Sequence, residues 1–237
     1  MAGSSKTIPF RMVAEARGGT FTFRKDTTSS PTWPDEVDHT EVDLIGTFHC
    51  NTCLGIYFPI DKYRCFATHI NAWTRYDEPL NCADPDAGEY IKKQTTEKLQ
   101  REAKENNWDP LSEGFGKVVY AVCRVFEVDF DGVMVETGGW YAAEAVREFL
   151  KTQADVVARN ASWSHALRAH AAAIRKQAEE FVVMTDYQGF VVHNNSRKLV
   201  ATFRANHNDV FYRRSPLDLG RYRPVTILSL DICKWSI

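Results

Sequence analysis

The chain has 237 residues, with 29 basic against 31 acidic side chains and ordinary apolar and charged fractions, which fits one large domain or two small ones around a sizeable core. A net charge near zero excludes a strong field of one sign, so composition points to no nucleic acid, anionic membrane or highly charged substrate. The N-terminal MAGSSKTIPFRMVAEARGG lacks an apolar signal core. No run of roughly 18 apolar residues follows it. Six cysteines (Cys50, Cys53, Cys65, Cys82, Cys123, Cys233) are too few and too uneven for a disulfide scaffold. These features predict a cytoplasmic protein with reduced thiols.

In chain order, GGTFTFRK predicts a short strand, and residues 25–38, rich in Ser, Thr, Pro and Asp, a mobile loop. Residues 1–40 then form an N-terminal extension and 41–237 a single catalytic domain, with a helical insertion near 160–180. The stretch 41–70 is rich in β-branched and aromatic residues and predicts a β-hairpin. If 53–58 pairs with 64–69 through the connection PIDKY, Phe58 faces Arg64, Tyr57 faces Cys65, and Cys53 faces His69. Beyond it, the Asp84-Pro85-Asp86 start and the Ile91, Thr95, Leu99 spacing describe a surface amphipathic helix. Strands follow at 117–127 and 132–137, joined by a turn at Asp129, Asp131 and Gly132, then helices at 141–151 and 162–180. EFVVMTD, GFVVHNN, LVATFRA and VTILSLDI supply the last strands. Elements alternating in such blocks predict an α+β layered sandwich, its sheet mainly antiparallel and its helices on one side.

The hairpin carries the candidate chemistry. A thiol attacks as thiolate, and a neighbouring imidazole is the usual device for producing one. Cys53 is therefore the nucleophile candidate and His69 its base. Thr47 on the incoming segment could hold the imidazole in one tautomer, as the third member of a triad does, with Asn71 as a second candidate for that role. Gly55 lets backbone approach a substrate amide. Backbone amides around Asn51, Thr52 and Leu54 are candidates for an oxyanion hole.

The run Thr47-x5-Cys53-Leu54-Gly55-Ile56, followed by Ala67-Thr68-His69, resembles the Thr-x5-Cys-Val-Gly-Val and Ala-His segments of the CheD-like chemoreceptor glutamine deamidases, members of the Cys-His protein deamidase superfamily. The order of elements is similar over roughly residues 41–204. The family's Gly-Gly-Ala turn is replaced here by 127–131. The resemblance implies a CheD-like fold and a hydrolase that converts the side-chain amide of protein glutamine, or asparagine, to a carboxylate. It proceeds through a thioester on Cys53, with His69 and Thr47 completing the triad. It implies no cofactor and no metal, and a protein substrate as the partner.

The same residues admit a rival. Cys50-x2-Cys53 and Cys65-x3-His69 have the spacing of a structural zinc site. Along one strand, however, Cys65 and His69 would stand about 13 Å apart. A catalytically inactive binding module of the same fold is the second alternative.

Overall fold

The computed structural model describes residues 8–23, 44–50, 52–72, 74–75, 78–79, 85–128, 132, 134–161, 164–181, 187–203, 212–214, 222–224 and 227–231. The chain opens with strands β1 (Ile8–Met12) and β2 (Arg17–Thr22), followed by β3 (Leu44–Thr47), β4 (Leu54–Pro59) and β5 (Arg64–Ile70). The short pair β6 (Thr74–Arg75) and β7 (Glu78–Pro79) precedes helix α1 (Pro85–Glu105). Next come β8 (Tyr120–Val122), β9 (Phe126–Val128), β10 (Met134–Glu136) and helices α2 (Gly138–Asn160) and α3 (His165–Glu180). β11 (Gly189–His193), β12 (Lys198–Phe203), β13 (Tyr212–Arg214), β14 (Tyr222–Pro224) and β15 (Ile227–Asp231) complete the order.

Two sheets dominate, one ordered β12-β11-β3-β1-β15 and the other β2-β5-β4-β8. Within the second sheet every pairing is antiparallel, whereas β1 runs parallel to both its neighbours in the first. Alternation along β4 sorts its side chains between two interiors. Leu54, Ile56 and Phe58 join Ile91, Leu99, Phe149 and other helix residues in one apolar cluster. Tyr57, on the opposite face, packs with Ile45, Phe190 and Val192 of the other sheet. The result is an α+β sandwich of three layers, helices on one side of the four-stranded sheet and the second sheet on the other. No helix among the described residues is long and apolar enough to cross a membrane.

Several elements differ from the sequence expectation. Residues 8–23 are no extension: β1 pairs with β3, and β2 with β5. The strand expected over 117–127 is two strands, β8 and β9, in separate sheets. The helix expected from Tyr141 begins at Gly138, with Thr137 as its N-cap accepting from the Trp140 amide, because a capping hydroxyl and not the apolar spacing sets a helix start. The proposed loop 25–38 and most of the strand EFVVMTD lie outside the described residues.

The hairpin register is the consequential correction. Phe58 pairs with Phe66 and Gly55 with His69, so the expected pairing of Cys53 with His69 does not occur. The cause is a tighter turn than PIDKY suggested. Ile60 N–H bonds Arg64 O at 2.9 Å, leaving a three-residue turn, Asp61 to Tyr63. The Asp61 carboxylate accepts from the amides of Tyr63 and Arg64 and pairs with the Arg64 guanidinium. An Asp that ties up its own turn in this way is a local signal competing with the hydrophobic pattern. The shift is two residues, so each side chain keeps its face.

Candidate active site

The chain passes from the five-stranded to the four-stranded sheet between β1 and β2 and again between β3 and β4, and the candidate site lies where these two crossings meet the end of β5. Each crossing bends through a non-glycine residue with positive φ, Ala16 at 57° and His49 at 63°. Such backbone is costly for an L-residue and is held only where the surroundings demand it. Cys50 is anchored by its amide to Gln188 O at 2.9 Å. On the helix side, the Gly139 amide bonds Thr52 O at 2.8 Å, so the first turn of α2 fixes the segment that carries Cys53.

Thr47, at the end of β3, has its hydroxyl 2.8 Å from Val13 O and 2.9 Å from His69 Nδ1. A carbonyl can only accept, so the single hydroxyl proton of Thr47 goes to Val13. Oγ1 must then accept from Nδ1–H. This proton count fixes the tautomer: Nδ1 carries the hydrogen, and Nε2 holds the bare lone pair. Nε2 is buried and has no hydrogen-bond partner among the described residues. Burial, with His49 nearby, pushes the imidazole down to about 4, so the ring is neutral at physiological pH.

The two cysteines of Cys50-x2-Cys53 have different surroundings. Cys50 lies 3.7 Å from His69 Nδ1 and 3.8 Å from Thr47 Oγ1, and is fully buried. It faces the protonated nitrogen, which cannot take its proton, and burial raises its pKa well above the ordinary thiol range. Cys53 is 4% exposed, and its thiol donates to the carboxylate of exposed Glu15 at 3.7 Å. Burial, the main cause, together with the Glu15 charge pushes the Cys53 thiol up to about 11, against hydrogen bonds from the Ala72 amide and the Thr52 hydroxyl. No hydrogen bond joins Cys53 to His69 among the described residues.

The structure thus brings Thr47 and His69 together as the sequence suggested, and places Cys50, not Cys53, against the ring. With Nδ1 engaged by Thr47, the orienting role falls to that residue and not to Asn71, which is half-buried at the end of β5. Thr52 contacts the Cys53 thiol, the Leu54 side chain is in the core, and Asn51 lies outside the described residues. The four zinc candidates are not gathered. Among the described residues no three His, Cys, Asp or Glu side chains cluster as metal ligands, and Cys65 pairs with Pro59, four pairs along the hairpin from the His69–Gly55 pair. Glu15, which reaches Cys53 from a different sheet crossing, and Gly139 left no local signal in the sequence.

The depressed His69 pKa has a consequence for stability. The unfolded imidazole titrates near 6.5, the folded one at about 4. Between these values the unfolded chain binds more protons, so stability is lost as pH falls from 6.5 towards 4 and the loss levels off below it. The His69 contribution is about 3 kcal/mol. Urea unfolding of the parent and of His69→Gln at a series of pH values should give a difference that shrinks by this order over that window. Parallel pH profiles would contradict the depressed value.

Comparison with models of protein families, with curated proteins and with solved structures finds no match to this chain.

Proposed function

We propose that this protein is a cysteine hydrolase of side-chain amides, with Cys53 as nucleophile, His69 as general base and acid, and Thr47 as the residue that holds the base. The observation that carries the reading is the Val13–Thr47–His69 chain, which leaves a neutral imidazole with its lone pair at Nε2. A triad needs this arrangement of its base: one ring nitrogen engaged as a donor and the other bare. The resemblance of Thr47-x5-Cys53 and Ala67-Thr68-His69 to the CheD-like deamidases supports protein glutamine, or asparagine, as the substrate and a CheD-like version of the sandwich.

In the proposed cycle the Cys53 thiol leaves Glu15, turns about its own side-chain torsion and passes its proton to Nε2. Continuing the alternation of β4 back from Gly55, which pairs with His69, puts position 53 on the His69 face and supports that path. The sulfur adds to the carboxamide carbon. The Nε2 proton then goes to the departing nitrogen, the C–N bond breaks, and ammonia leaves a thioester. Water attacks the thioester while Nε2 takes one of its protons and returns it to sulfur as the C–S bond breaks, giving the free thiol and the carboxylic acid, which loses its remaining proton to solvent as the carboxylate.

The test is ammonia release and the amide-to-acid mass change on glutamine- and asparagine-bearing proteins and peptides. Cys53→Ser and His69→Gln are expected to lower the rate at least about 100-fold, while Cys50→Ala stays within about tenfold because its sulfur faces the wrong nitrogen. Activity that survives in Cys53→Ser but not in Cys50→Ala would exchange the two thiols and overturn the assignment.

A further inference from the structure

Glu15 belongs to neither the triad nor the sequence motif, yet its carboxylate is in contact with the Cys53 sulfur. The side chain is exposed, whereas Cys53 is almost enclosed, so a molecule that comes to the sulfur along Glu15 must replace this contact. The thiol has neighbours of two kinds. The Ala72 amide and the Thr52 hydroxyl are donors, and the Glu15 carboxylate is an acceptor. A primary carboxamide has the complementary pair on one carbon, an oxygen that accepts and an NH2 that donates. An ester lacks the donor, and a carboxylate both lacks it and carries a charge of the same sign as Glu15.

We propose that Glu15 is the specificity-determining residue of the site, accepting a hydrogen bond from the NH2 of a primary carboxamide while Ala72 N–H and the Thr52 hydroxyl receive its oxygen. This rests on the amide-hydrolase reading and adds the residue that recognises the amide. In the resting protein Glu15 holds the thiol by its proton. The arriving NH2 takes over that acceptor and frees the thiol to turn to Nε2. Once ammonia has left and water has added, the acid product faces Glu15 as an anion and is expelled. The backbone bend at Ala16, with φ of 57°, is what carries Glu15 over the sulfur.

Three alkylating reagents with the same reacting carbon and leaving group separate the possibilities: iodoacetamide, its N,N-dimethyl analogue, which has no N–H, and iodoacetate. Rates of modification at Cys53, read by peptide mass spectrometry on the folded protein, are divided by the rates for a small free thiol at the same pH. The parent is expected to favour iodoacetamide at least about tenfold over each of the other two. Glu15→Ala should lose both preferences. Glu15→Gln, which keeps an acceptor without the charge, should retain the preference over the dimethyl reagent and lose that over iodoacetate. A structural role for Glu15, or its effect on thiol ionisation alone, would move all three rates together and leave the ratios unchanged, which overturns the proposal. Ratios in the parent equal to those of the free thiol overturn it as well. If the ratios behave as expected while ammonia release proves independent of Cys53, the hydrolase reading falls and the carboxamide site stands.

Discussion

Replacing Thr47 by valine is expected to lower amide hydrolysis at least about 100-fold and to cost about 2–4 kcal/mol of stability. The two side chains have nearly the same shape, so the effect isolates one hydroxyl. That hydroxyl gives its proton to Val13 O and accepts from His69 Nδ1, at a residue 1% exposed. Valine leaves the Val13 carbonyl without its hydroxyl partner in the interior and the ring N–H with only the Cys50 sulfur, a weak acceptor, at up to about 1–3 kcal/mol each. The ring can lessen its share only by moving the hydrogen to Nε2, and doing so removes the base. Thr47→Ser is the control, since it keeps the hydroxyl and loses only a methyl group, about 1 kcal/mol. Activity and urea midpoints of the two variants test the claim; a Thr47→Val protein as active as Thr47→Ser would mean that the hydroxyl does not direct the ring.

Gly55→Ala is expected to be the most disruptive single-methyl change at the site, about 2–3 kcal/mol. Gly55 stands opposite His69 in the hairpin. A Cβ there would lie 2.6 Å from Thr47 Cγ2, 2.7 Å from Cys50 Sγ and 2.9 Å from Val122 Cγ1, all inside van der Waals contact. These neighbours belong to three different strands or crossings, so no single side-chain rotation relieves them, and Thr47 must move off the ring. Combining Gly55→Ala with Cys50→Ala removes one of the three collisions and should recover part of the loss. Equilibrium unfolding of the two single variants and the double variant gives that coupling; a fully additive result would show that the sulfur is not in the way.

How far the sequence foretold these features depends on the range of the interaction. The runs of apolar, β-branched and aromatic residues at 54–58 and 190–192 were enough for buried strands, because a short continuous apolar run suits a strand covered on both faces. Likewise, the pairing of Thr47 with His69 followed from the motif. The register of the hairpin did not, since it was decided by one Asp61 side chain bonding two amides, a contact that the apolar pattern does not encode. The assignment of β8 and β9 to different sheets was hidden in the same way: KVVYAVCRVFE is uniformly suited to a strand, and only tertiary pairing breaks it at Cys123. Glu15 could not be found from local spacing at all, because 38 residues separate it from Cys53 and the two meet only when both sheet crossings are in place.

The most direct test is the protonation of one ring. Nitrogen-15 NMR of histidine-labelled protein near neutral pH, with His69 assigned through His69→Gln, reports which imidazole nitrogen carries hydrogen. The proton count at Thr47 predicts a neutral ring with hydrogen on Nδ1 and a bare Nε2, persisting until the pH approaches about 4. A ring protonated at Nε2, or an imidazolium already present near neutrality, would contradict it and leave the proposed hydrolase without its base.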